Sequence, residues 1–371
     1  MKYKEIESET ELRELLAGPD VIRRIAFQNL NFEKIENLAS QKTYVDCIFL
    51  GCAIPESLYS KGVRECVVIP LIDVPFNTSV NSLYTKEILF GEYQLGDPSS
   101  YEKTLDKVIY NHYLKKGKEA GCIKETLARR LHDHSITDAL HGFLEDYDPK
   151  KVVAIMGGHS LLRDDKNFIE VARLSKELTE LGYFMISGGG PGAMEATHVG
   201  AWLAGKKDSD LEKVVSIIAE APSYQDALWL EKAFVALELY PTSDSKSLGI
   251  PTWLYGHEPP TPFATHIAKY FANSVREDGL LAIAKGGVIF SPGSAGTIQE
   301  IFQDATQNHY LVYGFASPMI FLNRSYWSTE RPVYPMLKKM ANEGKYQNMI
   351  LSSCDTKDEA IKEIQAFTSI P

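Results

Sequence analysis

Residues 286–304 read GGVIFSPGSAGTIQEIFQD. Residues 288–290 are a short apolar run, long enough only for a buried strand. The glycines that follow can take backbone angles other residues avoid. From Thr297 onward, Ile298, Ile301 and Phe302 fall at helical spacing. The stretch is therefore read as strand, tight loop and helix. Such a loop turns bare N–H groups toward whatever lies above the strand end, and these donors and the helix dipole favour an anion there.

Outward from this unit the same alternation continues. The pattern predicts strands at 151–158, 183–190 and 214–220, with helices at 164–182 and 191–205, the second carrying Pro191 at its first position. After an apolar stretch at 248–256, a helix over 263–284 is expected to lead into the quoted strand. A strand at 318–323, a helix near 331–342, a strand within 346–353 and a final helix complete the set. Alternating strands and helices imply an α/β fold, a doubly wound parallel sheet covered on both faces. Ligands sit beyond the carboxyl ends of such strands.

Residues 1–148 read differently, as a smaller mixed α+β domain. It opens with an amphipathic helix around 9–16 and continues with apolar runs at 46–54 and 65–72, followed by a largely helical stretch over 99–147. No repeat and no low-complexity tract is evident. The polar step DYDPKK at 146–151 marks the expected boundary with a second domain, 149–371.

The 371 residues suffice for two domains, and 44% hydrophobic with 24% charged residues is an ordinary globular balance. Five cysteines without a CxxC pair argue against a disulfide framework or a structural zinc site and fit a reducing compartment. No apolar run reaches the roughly 18–20 residues that span a bilayer, and the charged start MKYKEIESETELRELL is unlike a signal peptide. The expectation is a cytoplasmic protein without a membrane partner. A formal net charge of −10 weighs against nucleic acid as partner but leaves room for a small phosphorylated ligand.

Three strand ends carry Gly or Ser clusters: MGGHS at 156–160, SGGGPGAMEA at 187–196 and SPGSAGT at 291–297. One such loop is routine; three at the carboxyl ends of one sheet point to a binding site. Candidate binding residues are Gly157, Gly158, Ser160, Gly188, Gly189, Gly190, Gly192, Met194, Gly293, Ser294, Gly296 and Thr297. The loops fit neither the G-x-G-x-x-G dinucleotide fingerprint nor a Walker loop. Glu300 has two readings: with Thr297 it fits the S/T-x-x-E capping box, which local sequence favours, or its carboxylate stands at the rim of the anion loop. Arg276, read as lying towards the end of a helix, either complements the helix dipole or borders the same pocket. The histidines show no metal spacing. His159 stands in a strand-end loop, where a plain loop histidine is the commoner case.

Together SGGGPGAMEATHVGA and SPGSAGTIQEIFQ resemble the LONELY GUY (LOG) family, often mislabelled "lysine decarboxylase", whose members include nucleotide phosphoribohydrolases. The family carries G-G-G-x-x-G-x-M and P-G-G-x-G-T-x-x-E segments on a Rossmann-like fold that usually dimerises. Gly188, Gly189, Gly190, Gly192 and Met194 match the first; Pro292, Gly293, Gly296, Thr297 and Glu300 match the second. Arg276 sits close to the family's catalytic arginine, and SPMIFLNRSYW at 317–327 resembles its late strand and Tyr-Trp pair. The likeness covers about residues 151–330. This chain departs at Ser294, where the family has glycine, at Glu277, where it has lysine, and in a motif spacing one residue longer. The first 150 residues match nothing in the small members.

The resemblance implies hydrolysis of the N-glycosidic bond of a nucleoside 5′-monophosphate, with Glu300 and Arg276 catalytic, no metal or redox cofactor, and a homodimer or larger homo-oligomer. Arg276 is expected to orient Glu300 and hold its pKa low. Ser294 and Glu277 keep a second reading open, a nucleotide-binding or sensing protein without turnover. Amino-acid decarboxylation is discounted because no lysine stands in the motifs, and a nicotinamide reductase because a true fingerprint is missing.

Overall fold

The protein, seen in a computed structural model that describes residues 3–61, 63 and 65–368, divides into two compact units. One comprises Met1–Leu83 with His112–Phe143, the other Tyr84–Asn111 with Leu144–Pro371. A single step near 148 therefore leaves out an excursion: residues 84–111 belong with the second unit.

The first unit is built from six short parallel strands: β1 (Lys4–Ile6), β2 (Val21–Arg23), β3 (Ile25–Gln28), β4 (Thr43–Val45), β5 (Ile48–Leu50) and β6 (Val67–Ile69). They form a sheet in the order β1-β3-β5-β6 and a two-stranded sheet β2-β4. Here the structure corrects the expectation of no repeat. Ile25 lies beside Lys4, Ile48 beside Ala26 and Val67 beside Ile48, offsets of 21, 22 and 19 residues, and Thr43 beside Val21 adds another of 22. Left-handed backbone recurs at the same period, at Arg24 (φ 54°) and Asp46 (φ 53°) and again at Asn29 (φ 53°) and Gly51 (φ 63°). Phe27 stacks on Phe49, 22 positions on, with ring centroids 4.9 Å apart. The Arg24 guanidinium meets Asp46 at 3.1 Å. Coils stacked at a fixed period bury one continuous core that none could bury alone. Only backbone angle and inward shape repeat, so the side-chain letters hide the period.

The second unit holds β7 (Val152–Met156), β8 (Phe184–Ser187), β9 (Ser247–Gly249), β10 (His266–Ile267), β11 (Gly287–Phe290), β12 (Pro318–Leu322) and β13 (Ile350–Cys354). All are parallel neighbours in the order β10-β9-β8-β7-β11-β12-β13. Without the edge strand β10 this is the 3-2-1-4-5-6 order of the Rossmann fold, and it reverses between β7 and β11. Val153, Ile155, Met185, Ile289 and Ile320 bury one face with Phe168, Leu174, Val199 and Ile364. Alternate residues Phe290 and Phe321 turn to the other face, where Phe321 meets the rings of Trp327 and Tyr334. The sheet is doubly wound, as expected from the sequence.

Two elements differ from the sequence reading. The stretch 214–220 is not a strand: residues 214–218 end a helix, Asp208–Ile218, which buries Leu211, Val214, Val215 and Ile218 at helical spacing. The stretch 263–284 is not one helix either: residues 266–267 pair with β9 as β10, and the helix begins only at Asn273. Sheet pairing overrides the apolar spacing there.

The Lys166–Glu180 and Ala193–Trp202 helices pack so closely that a Cβ on Gly200 would stand 2.1 Å from the Ala172 carbonyl oxygen. Gly200→Ala must part the two backbones, and urea denaturation is expected to show a loss of about 1–3 kcal/mol or more.

Residues 84–111 cover the rim of this unit. Tyr84 exchanges backbone hydrogen bonds with Ile267, closing the β10 edge. Tyr93 stacks on Phe234 and donates its hydroxyl to Glu231 at 2.8 Å. Among the described residues no helix is long and apolar enough to cross a membrane.

Candidate functional site

The helix after β11 runs Ala295–Tyr310 with Ser294 as N-cap, and no side chain caps it. This overturns the capping-box reading. Thr297 is the third residue of the helix, and Glu300 faces Arg276 instead of a cap N–H. Ser294, Ala295 and Gly296 are exposed, so the first N–H groups of the helix open outward beside the β7–β11 reversal. The loop behind them is fixed from below. Gly158 N–H donates to the Pro292 carbonyl at 3.1 Å, the Tyr326 hydroxyl donates to the Gly293 carbonyl at 2.5 Å, and Trp327 Nε1 donates to the Phe290 carbonyl at 3.0 Å.

Arg276 lies in the first turns of its helix, Asn273–Ile283, not near the end, so the dipole reading fails: a cation is disfavoured at that terminus. The guanidinium is held instead by other groups. Its Nε donates to the Ile250 carbonyl at 2.8 Å, and Nη1 stands 3.5 Å from Glu300 Oε1. Glu277 accepts from Asn273 and Gln299, each at 2.7 Å.

Burial raises the Glu300 carboxyl to about 7; Arg276 pulls it back and Glu277 pushes it further up. The expectation that Arg276 holds it low is thus corrected, because desolvation outweighs a partner at 3.5 Å. One turn on, burial raises Asp304 to about 8, and its Oδ2 has no hydrogen-bond partner among the described residues.

A cleft of about 300 Å³ opens here, lined by Gly157, Gly158, His159, Met194, Tyr255, Glu258, Arg276, Glu277, Ser294, Gly296, Thr297 and Glu300. Of the candidates from sequence it brings together Gly157, Gly158, Met194, Arg276, Ser294, Gly296, Thr297 and Glu300. Ser160 and Gly192 line a neighbouring cleft of about 220 Å³, whose floor is the buried Arg163–Glu195 pair. Gly188, Gly189, Gly190 and Gly293 line neither cleft. Nor does Pro191 open its helix: Gly192 is the N-cap.

The smallness of Gly188 has a local cause. A Cβ there would stand 2.3 Å from Arg276 Nη2. Gly188→Ala is expected to push the guanidinium away from Glu300 and lower any Glu300-dependent turnover roughly tenfold or more, with an almost unchanged circular dichroism spectrum. Beneath this loop His198 bridges Ser187 and Ser247, at 2.9 Å on each side, and Ser187 Oγ accepts from Gly189 N–H at 3.0 Å. Complete burial lowers His198 to about 3, so it is neutral.

Sequence reasoning missed Tyr255, Glu258 and His198, and read Glu277 only as a departure from the motif. Tyr255 and Glu258 come from a loop without periodicity, and His198 sits unremarked inside an apolar helix.

Comparison with protein-family models gives no match, and no curated protein sequence matches. Among solved structures, the molybdenum cofactor binding protein of the phototrophic bacterium Rippkaea orientalis is 14% identical with a TM-score of 0.36, covering 59% of this chain and 97% of its own. A protein solved by X-ray crystallography as TM1055 is 16% identical with a TM-score of 0.34, covering 57% and 98%. At this level neither transfers a ligand or an activity to this chain.

Proposed function

We propose that the second unit is a phosphoribohydrolase of the LOG type, which hydrolyses a nucleoside 5′-monophosphate to free base and ribose 5-phosphate. One observation carries the reading: Glu300 and Arg276 face each other in the cleft into which an uncapped helix N-terminus opens, at the strand-order reversal. The N–H groups of Ala295, Gly296 and Thr297 would receive the 5′-phosphate. Helical rise sets Glu300 roughly 4.5–7.5 Å along the axis from them, on the scale of the span from phosphate to sugar. Bond cleavage develops positive charge on the ribose. Ionised Glu300 stabilises that charge or takes a proton from the attacking water. The purified protein, incubated with a panel of nucleoside monophosphates, should release base, and Glu300→Gln should not. Base release that survived that substitution would overturn the assignment.

A second reading has its own support. Glu258, Glu277 and Glu300 give the cleft three carboxylates against one arginine, a balance better suited to weak, signalling occupancy than to efficient turnover of an anion. Calorimetric binding of a nucleotide without base release over hours would favour this sensor.

A further inference from the structure

The cleft has a second wall that the proposed chemistry leaves unused. His159 follows β7 and Glu258 lies in the loop before β10, and both line the cleft that holds Glu300 and Arg276. His159 Nδ1 is 3.8 Å from Glu258 Oε1, and no bond to Nε2 is found among the described residues. The Glu258 side chain is 16% exposed and His159 45%, so the carboxylate is set back while the imidazole reaches open space. The ring edge of Tyr224 meets the imidazole with centroids 6.0 Å apart. From His159 the neighbouring cleft begins, walled by Pro191, Pro222, Tyr224 and Trp229. That is room for a two-ring base between walls of mixed polar and apolar character.

We infer that His159 is the general acid that protonates the departing base and that Glu258 positions it. This rests on the phosphoribohydrolase reading. Glycosidic cleavage needs help at both ends. Water bonds to the anomeric carbon and gives its proton to Glu300, while the C1′–N electron pair goes to the base. That nitrogen leaves far better once a ring nitrogen of the base has taken a proton, which His159 Nε2 supplies. Glu300 then releases its proton to solvent and His159 recovers one, so nucleotide plus water gives base plus ribose 5-phosphate. Glu258 across Nδ1 stabilises the charged ring and turns Nε2 outward, the role a carboxylate plays behind a catalytic histidine. A 3.8 Å separation is a charge contact that can tighten when substrate binds.

Leaving-group chemistry separates this from a structural role. Guanosine 5′-monophosphate needs the proton; 7-methylguanosine 5′-monophosphate, whose base is already cationic, does not. His159→Asn is expected to lower kcat on the first about 10²-fold or more and on the second by less than about threefold. Glu258→Gln should show the same selectivity with a smaller loss, roughly tenfold. Glu300→Gln should lose both substrates. Equal losses on the two substrates in His159→Asn, or no loss on either, would overturn the inference while leaving the reading of Glu300 standing. Wild-type protein that releases base from neither would overturn the phosphoribohydrolase reading, and this inference with it.

Discussion

A Glu300→Gln protein is expected to lose base release by about 10²–10⁴-fold and yet to melt higher than wild type at pH 8. Both effects come from one placement. The Glu300 side chain is 12% exposed, and burial lifts its carboxyl to about 7, well above an unfolded glutamate near 4.5. Between those values the folded protein holds the extra proton, so stability falls as pH rises from about 4.5 through about 7 and stays lower above it. The difference amounts to about 3 kcal/mol, partly offset in the variant by leaving Arg276 without its carboxylate partner. A net gain of ~1–3 kcal/mol, a few degrees in Tm, should appear at pH 8 and vanish at pH 4. Activity runs the other way: as a base, Glu300 works only when ionised, so the limb of the rate profile that Glu300 sets should rise with pH through about 7. Calorimetric scans and initial rates over pH 4–9 check both. A variant that melts lower than wild type at pH 8 would contradict the assigned desolvation.

Asp106→Ala is expected to cost about 3–5 kcal/mol, the largest stability loss of any single substitution considered. Asp106 and Lys269 are both fully buried and paired. The Asp106 carboxylate also accepts from Trp253 Nε1 at 3.2 Å and from the Tyr101 hydroxyl at 3.1 Å. Lys269 stands 5.1 Å from the centre of the Trp253 ring. Burial lowers the Lys269 pKa and Asp106 pulls it back up. Removing the carboxylate leaves an ammonium in the core with an aromatic face and no anion. The double variant Asp106→Leu with Lys269→Met removes both charges and should recover part of the loss, the remainder being the acceptor taken from Trp253 and Tyr101. Urea denaturation of the two variants decides this: a double variant no better than Asp106→Ala would mean that the hydrogen bonds to Trp253 and Tyr101, or shape, govern the site and the unpaired charge does not.

The sequence revealed the Rossmann-like sheet because its strands are buried on both faces and read as apolar runs bounded by glycine, as at 152–156 and 287–290. Failures came where tertiary contacts overrule local pattern. Val214 and Val215 look like strand residues until Leu211 and Ile218 are counted with them. The Thr297-to-Glu300 spacing fits a cap, but the helix starts two residues earlier and turns Glu300 inward. Of the glycine clusters, position relative to the strand ends was legible. Which atoms they make room for was not: Gly188 gives way to the Arg276 side chain from a helix almost ninety residues away. The coils of the first unit repeat in backbone angle and register, properties that different residues satisfy equally well.

The excursion of residues 84–111 has a bearing on how the protein can be taken apart. The chain enters the second unit, leaves it and comes back, so no single cut separates the two units. A fragment starting at 149 would keep Lys269 but lose Asp106, and would bare Phe234 by losing Tyr93 and Phe90. A faithful minimal version of the second unit must carry residues 84–111, supplied in trans or rejoined by a new link.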